Sequence, residues 1–271
     1  MSLAARSLLR PLFKLLMLLL VALLSLQLYF VGRIALMTVL APESTAFQRS
    51  EIFRVVNTTG ALKWRQSWVP YEQISVNLKR AVITSEDASF TEHDGLDLEA
   101  LEKAWGKNVA AEQRAQKIAD RLAAEAAKRQ SSKKTSSAAP PQKLVAKAPK
   151  IVGGSTITQQ LAKNLFLSGE RTLLRKGEEL VLTLMLEAML NKQRILEIYL
   201  NNVEWGEGIF GAEAAAQHYF HKPAARLSPY EAARLAVMLP RPRYFETRPN
   251  SDYLASRANT IVARMSGVVV P

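Results

Sequence analysis

The sequence predicts an all-α protein in which one helical domain follows a single N-terminal transmembrane helix. The first observation is a long apolar run near the N-terminus, at Leu15–Val31. The second is that later apolar residues recur at the spacing of one helix face, whereas few segments alternate with period two as strands do. The 271 residues have room for one large domain or two small ones, and the absence of cysteine excludes disulfides and thiolate chemistry.

The net charge of +12 is concentrated in two segments. Residues 1–40 carry four basic side chains and no acidic one, and residues 106–150 carry 11 basic against 3 acidic ones. The rest of the chain, with 21 basic and 21 acidic side chains, is neutral. Because the basic residues lie outside the predicted helical core, this pattern argues against nucleic acid as a partner.

Basic residues precede the apolar run and predict its orientation. Residues 1–14 form a basic tail, and residues 15–40 are interpreted as an uncleaved signal-anchor. The excess of basic residues on its N-terminal side predicts that this end is cytoplasmic and that residues 41–271 lie outside. A cleaved signal peptide is the alternative, but Leu24–Val31 offers no pair of small residues typical of a cleavage site.

The stretch after the anchor leads to the first predicted helix of the domain. Residues 41–80 contain three aromatic side chains that suit either a membrane interface or a packed core: Trp64, Trp68 and Tyr71. Val76–Ser85 has helical spacing and predicts a short helix that places Glu86 at its C-terminal end. Leu96–Trp105 is predicted as another helix, with an aspartate near its N-terminus.

A basic segment at about 107–150 separates the two halves of the predicted domain. Residues 108–129 are rich in helix-forming residues but have a thin apolar stripe, which predicts a solvated helix. Residues 131–141 have too little apolar surface to bury, which predicts a flexible linker. The segment is therefore predicted to lie apart from the domain core.

Dense apolar periodicity returns after this segment. Glu179–Leu190 holds an almost unbroken apolar run, which predicts a helix buried on most sides. Three further helices are predicted at Arg194–Asn201, Ala212–Phe220 and Ala232–Leu239, the last preceded by a capping serine and a proline at its first position. Pro240–Pro249 contains three prolines and is predicted to be a loop.

Two polar blocks are not required by packing. In the first, Glu86 and Asp87 are adjacent at a predicted helix end, and their repulsion with partial burial would raise the pKa of one carboxyl, as a general base near neutral pH requires. In the second, residues 153–160 place glycines, hydroxyls and free N–H groups at a helix start, an arrangement that binds anions. Helix capping also explains each block when it is considered alone.

A third group, Arg175 and Lys176 with Glu179, follows the second block. Arg175 and Glu179 are four residues apart, so a surface ion pair is the plain interpretation. The two cations also suit a diphosphate, the arginine as a bidentate fork and the lysine as a point charge. Together the three groups predict acid–base chemistry on a hydroxyl-rich substrate that carries phosphate.

These groups resemble the glycosyltransferase family 51 domain, the peptidoglycan glycosyltransferases. The first family motif is matched by Glu86, Asp87, Phe90, His93 and Gly95, and the second by Gly153–Gln160 with Lys163 and Asn164. The third is matched by Arg175, Lys176 and Glu179, and a fourth by Ile195–Asn201. Because little chain follows the last motif, the resemblance is to the monofunctional biosynthetic peptidoglycan transglycosylases.

The resemblance implies a lysozyme-like, all-helical fold with two lobes, and the polymerisation of lipid II into β-1,4-linked glycan with inversion and release of undecaprenyl diphosphate. It implies that Glu86 is the base that deprotonates the acceptor 4-hydroxyl and that Glu179 orients or stabilises the diphosphate side. The substrate-binding residues that it implies are Asp87, Phe90, His93, Ser155, Thr156, Gln159, Gln160, Lys163, Asn164, Arg175 and Lys176. No cofactor is required, although a divalent cation, Mg²⁺ or Mn²⁺, is a candidate at the diphosphate.

The same resemblance implies lipid II, the growing glycan chain and membrane lipid as partners, with other cell-wall synthesis or division proteins as further candidates. It implies a single-pass protein of the bacterial inner membrane whose catalytic domain is periplasmic. Two rival interpretations are a lysozyme-like hydrolase that cleaves glycan and an inert anchored scaffold.

The sequence departs from the family pattern in two places. Leu96 stands where a phenylalanine is common, and the segment at about 107–150 is interpreted as an insertion. The insertion is either a tolerated surface excursion or a contact for anionic lipid or a cell-wall partner.

Overall fold

The computed structural model describes residues 3–132, 154–167 and 172–271. It divides into two compact units, the first formed by Met1–Leu96 with Thr156–Pro271 and the second by Asp97–Ser155. The all-α prediction is confirmed, because the described residues form eleven α-helices and only three short strands.

The described chain begins with a long apolar helix, α1 (Leu3–Met37). Within it, Pro11–Met37 is long and apolar enough to cross a membrane, and no other helix in the described part of the chain meets that test. Most of its side chains from Pro11 onward are exposed, but Phe30, Ile34 and Met37 are buried in the core of the first unit. The helix is therefore consistent with the predicted single-pass anchor, and its last turns belong to the folded domain.

The three aromatic residues after the anchor pack within the first unit. Tyr71 is buried, and its hydroxyl donates to the Pro271 carbonyl oxygen (2.6 Å). The Trp64 ring lies 4.9 Å from that of Phe210 between centroids, and Trp68 packs against the buried core. These contacts favour core packing over the membrane-interface interpretation.

The helices of the first unit lie close to the predicted positions. The predicted helix at Val76–Ser85 is α3 (Val76–Glu86). The predicted capping serine and N1 proline begin α9 (Pro229–Met238) through a capping box between Ser228 and Glu231. The helices of the unit after α1 are α2 (Ala46–Thr59), α3 (Val76–Glu86), α5 (Ile157–Phe166), α6 (Leu173–Met189), α7 (Lys192–Asn202), α8 (Ala212–Phe220), α9 (Pro229–Met238), α10 (Pro242–Glu246) and α11 (Asp252–Arg264).

One predicted loop contains a helix. Pro240–Pro249 holds the single-turn α10, which starts at Pro242. A proline fits the first turn of a helix because its missing N–H has no partner there, so the prolines of this stretch do not exclude a short helix.

The prediction that α6 is buried on most sides is wrong. Leu182 and Leu186 are fully buried, but Leu180, Val181 and Leu184 are 38–47% exposed. Only one face of α6 packs against its neighbours α1, α5 and α7, so the opposite apolar face is left uncovered in the described part of the chain.

A small sheet completes the first unit and was outside the predictions. Its strands are β1 (Arg65–Gln66), β2 (Glu204–Gly206) and β3 (Ile209–Phe210). β3 lies in the middle, parallel to β1 and antiparallel to β2. Strands of two or three residues are too short to show a period-two pattern.

The second unit is dominated by one helix, α4 (Leu98–Ser132). It joins the two helices predicted at Leu96–Trp105 and 108–129, so the predicted break between them is wrong. Gly106 lies between the two and is tolerated, since an interior glycine costs a helix only about 1 kcal/mol. Asp97 accepts a hydrogen bond from the N–H of Ala100 at the helix start (2.7 Å). The predicted linker lies almost wholly outside the described residues.

Candidate active site

Glu86 is the last residue of α3, and its carboxylate is held by a chain of hydrogen bonds. Gln160 Nε2 on α5 donates to Glu86 Oε2 (3.0 Å), and Gln160 Oε1 accepts from the hydroxyl of Tyr199 on α7 (2.9 Å). Because an ionised carboxylate only accepts hydrogen bonds, the Gln160 amide presents its NH2 group to Glu86 and its oxygen to the Tyr199 hydroxyl.

The environment of Glu86 raises its pKa. Burial is the main cause, and the negative charge of Asp87 adds to it. Hydrogen bonds from Gln160 and Ser85 and the charge of Lys163 act in the opposite direction without cancelling the increase. The side chain is still partly exposed. Glu86 therefore combines access to solvent with a pKa displaced toward neutrality, which a general base needs.

Asp87 is the C-cap of α3, and both of its carboxylate oxygens are occupied. Oδ1 accepts from His93 Nε2 (2.9 Å), and Oδ2 accepts from the N–H of Ile157 at the start of α5 (2.9 Å). His93 Nδ1 accepts from the N–H of Gly95 (3.1 Å), which assigns the neutral tautomer with its proton on Nε2. Asp87 thus joins the end of one helix, the following loop and the start of another.

The second polar block caps α5, as the capping interpretation predicts. Thr156 and Gln159 form a capping box, and the Thr156 hydroxyl donates to the Gly95 carbonyl oxygen (2.7 Å). The N–H groups of Ile157 and Gln159 are bound by Asp87 and Thr156, so neither is free for an anion. Ser155 belongs to the second unit, and Gly153 lies outside the described residues.

The cationic residues lie on α5 and α6. Lys163 is exposed, one turn after Gln160, and Asn164 beside it is partly exposed. At the start of α6, Thr172 accepts from the N–H of Arg175 (3.2 Å). Lys176 forms an i, i+3 ion pair with Glu179, which is itself buried.

Several predicted site residues are buried or hydrogen-bonded to the protein and stabilise the loop between α3 and α4. Phe90 is fully buried, and Asp87, His93, Thr156 and Gln159 bind one another or the backbone. These contacts join the loop that follows Glu86 to the start of α5. Contact of each with substrate stays a prediction.

The residues predicted at the diphosphate do not fit a divalent cation. Mg²⁺ and similar hard cations take oxygen ligands, mainly carboxylates. Arg175, Lys176 and Lys163 are cationic, and the one carboxylate among the residues assigned to the diphosphate, Glu179, is paired with Lys176. This donor set suits an anion and not a divalent cation.

Four residues that were not among the predicted site residues reach the Glu86 neighbourhood. Burial, with the charges of Glu86 and Asp87 as lesser causes, raises the pKa of Tyr199 well above its usual value, so its hydroxyl stays a donor to Gln160. The other three form a polar group beneath the loop: Thr158, Glu187 and Lys192. The usable signal was Glu187 itself, a lone carboxylate inside the apolar run of α6, since buried carboxylates need partners.

The sequence matches the family model described as Transglycosylase over residues 54–138 and 134–266. A relative from Burkholderia thailandensis is 47% identical over 245 residues, which cover 90% of this chain and 82% of the relative. Relatives from Burkholderia pseudomallei and Herminiimonas arsenicoxydans are 46% and 45% identical over 245 residues, which cover 90% of this chain and 82% and 90% of theirs. All three are named biosynthetic peptidoglycan transglycosylase. With this coverage and identity, the chain belongs to the transglycosylase family and is a glycosyltransferase.

Proposed function

We propose that this glycosyltransferase polymerises lipid II into the β-1,4-linked glycan strands of peptidoglycan, in bacterial cell-wall biosynthesis. Its family and the names of its relatives support peptidoglycan as the product. The observation that carries the mechanism is Glu86, a carboxyl with a raised pKa that Gln160 holds at a helix end. Such a group suits the removal of a proton from a sugar hydroxyl.

In the proposed step, Glu86 takes the proton of the acceptor 4-hydroxyl as that oxygen attacks the anomeric carbon of the donor sugar. A C–O bond forms between the two sugars while the C–O bond to the diphosphate breaks on the opposite face, so the configuration inverts. Undecaprenyl diphosphate leaves with the bonding electron pair. Because a diphosphate is a weak base, the step needs no strong acid.

The cationic residues stabilise the leaving group in this proposal. Lys163, Arg175 and Lys176 balance the charge that develops on the diphosphate, which is the usual task of lysine and arginine beside phosphate. Glu179 orients Lys176 through their ion pair. Because Lys163 and Gln160 are one turn apart on α5, that helix would serve both the base and the leaving-group side.

The proposed location follows from the lipid-linked substrate and the anchor. Residues 1–14 lie in the cytoplasm, residues 15–40 cross the inner membrane, and the catalytic domain at residues 41–271 is periplasmic, as the basic residues before the apolar run predict. Lipid II, the growing glycan and membrane lipid are the proposed partners, and cell-wall synthesis or division proteins are further candidates.

The direct test incubates the full-length protein in detergent with labelled lipid II. Glu86→Gln keeps the size of the side chain and removes the base, so we expect polymer formation to fall at least about 100-fold. Glu92→Gln is the matched control, because Glu92 is an exposed glutamate in the same loop and its variant should retain wild-type activity.

The outcomes separate the proposal from its rivals. Near wild-type polymerisation by Glu86→Gln would contradict the role of Glu86. Release of muropeptides from finished glycan, without polymer from lipid II, would indicate a hydrolase. Neither product from the folded wild-type protein would indicate an inert scaffold.

A further inference from the structure

A charged pair lies beneath the loop that follows Glu86. Lys192 is the first residue of α7, and its Nζ lies 2.8 Å from Glu187 Oε1 on α6. The two side chains are only 19% and 7% exposed. Taking both charges out of water costs free energy that an apolar pair of similar size would avoid, so the net stability gained from such a pair is small.

The pair contacts the loop that follows Glu86 and the helix that carries Gln160, the hydrogen-bond donor to Glu86. Lys192 Nζ donates to the His93 carbonyl oxygen (2.6 Å) and lies 4.7 Å from the centroid of the Phe90 ring. Glu187 Oε1 also accepts from the hydroxyl of Thr158 in the first turn of α5 (2.6 Å). One end of the pair therefore binds the loop after α3, and the other binds the helix that carries Gln160.

The loop packs closely against α6 at Gly95. Gly95 has φ +84°, and a Cβ added there would lie 2.7 Å from Thr183 Cγ2 and 2.9 Å from Glu187 Cγ. The loop backbone thus lies directly against the Glu187 side chain. A change in the pair would move the loop, because interiors this closely packed do not absorb displacements locally.

We propose that Glu187 and Lys192 are positioning residues that set the geometry of Glu86 by clamping the Asp87–Gly95 loop to the first turn of α5. Lys192 fixes the His93 backbone, while the His93 ring binds Asp87, the residue next to Glu86. Through Thr158, the pair also fixes α5 and with it Gln160, the donor to Glu86. The proposal rests on the proposed role of Glu86 as base.

The sharpest test changes only the hydroxyl of Thr158. Thr158→Val keeps the shape of this fully buried side chain and removes its hydrogen bond to Glu187, whereas Thr158→Ser keeps the hydroxyl. We expect the valine variant to lower kcat about tenfold with little change in KM for lipid II, since the displaced group is a base and binding is left intact. The serine variant should recover most of kcat.

The second test removes the cation. Lys192→Met should lower kcat about 10- to 100-fold per folded molecule, with KM nearly unchanged. Lys222→Met is the control, because the Lys222–Glu231 pair has the same 2.8 Å separation and joins the end of α8 to α9 instead of binding the loop. It should leave kcat at the wild-type value, whatever it does to stability.

A structural role alone predicts a different pattern. If Lys192→Met and Thr158→Val lower only the melting temperature while kcat per folded molecule stays wild-type, the proposal that the pair positions Glu86 is wrong. If Lys192→Met does not fold, the uncharged double variant Glu187→Gln/Lys192→Met replaces it. A wild-type kcat for this double variant would also overturn the proposal.

The experiments distinguish a wrong positioning role for Glu187 and Lys192 from a wrong role for Glu86 as the base. A fully active Glu86→Gln refutes the base itself, whatever the clamp variants do. An inactive Glu86→Gln beside fully active clamp variants leaves the base in place and refutes only the positioning role.

Discussion

Glu86 faces opposite demands from stability and from its proposed chemistry. Burial favours the neutral carboxyl, whereas a base must be ionised before it accepts a proton. The hydrogen bonds from Gln160 and Ser85 reduce this conflict without removing it. The ionised form of Glu86 is therefore less favourable in the folded protein than it is in water.

This conflict predicts that Glu86→Gln gains stability as it loses activity. A carboxyl whose pKa is raised above its usual 4.5 in the folded state stabilises that state at low pH, and the stabilisation is lost as pH rises through the folded-state pKa. We expect the glutamine variant to be more stable than wild type by about 0.5–1 kcal/mol at neutral pH, with the gap closing as pH falls. Thermal unfolding in detergent at neutral and mildly acidic pH measures both effects.

Glu92→Gln should leave the melting temperature unchanged at both pH values, because Glu92 is exposed. A glutamine variant at position 86 that is less stable than wild type at neutral pH would show that the hydrogen bond to Gln160 outweighs the cost of the buried charge.

At the scale of elements, the sequence predicted the helices that depend on nearby residues and missed the pairing of strands that are distant in the chain. α3 and α8 follow from helical spacing, and α9 follows from its spacing and its Ser228 cap. β1 pairs with β3 across more than half of the chain, in segments too short to have a pattern. The site divides in the same way. The position of Glu86 at a helix end was predictable, whereas the Asp87 contact with α5 and the Glu187–Lys192 pair depend on tertiary packing.

Arg243 shows how one side chain can join three elements. From α10 its Nε donates to Glu204 on β2 (2.9 Å), and it also forms an ion pair with Glu51 on α2. Glu204 is buried, and desolvation raises its pKa against the opposing charge of Arg243. The arginine therefore compensates a carboxylate that would otherwise be buried alone.

Removing this cation should destabilise the protein most at neutral pH. In Arg243→Met, the folded-state pKa of Glu204 rises further, and the free energy of unfolding should fall by about 2–3 kcal/mol. Because a raised carboxyl pKa penalises the ionised form, part of the loss should be recovered as pH falls. Arg248→Met, at an exposed arginine just after α10, is the control and should change stability by less than about 0.5 kcal/mol. Equal melting temperatures for the two variants would refute the role of Arg243.

At the scale of the whole first unit, the anchor is part of the folded domain. The Phe30 ring packs edge-on against Phe166 of α5, with centroids 5.3 Å apart. Arg194 on α7 donates from Nε to the carbonyl oxygen of Met37, the last residue of α1 (2.8 Å), and from Nη2 to that of Leu40, just after the helix (2.7 Å). Side-chain packing and backbone hydrogen bonds thus fix the end of α1 to the helices that carry the candidate site.

Two alanine variants, at a buried and at an exposed position in the same turn of α1, test this connection. Ile34 is fully buried, so Ile34→Ala leaves a cavity in the core and should lower the free energy of unfolding of the domain by about 2–4 kcal/mol. Leu36 is 55% exposed in the same turn, so Leu36→Ala should cost less than about 0.5 kcal/mol. Thermal unfolding of the full-length protein in detergent compares them. If the anchor were only a tether, the two variants would unfold at the same temperature, because neither side chain would then belong to the domain core.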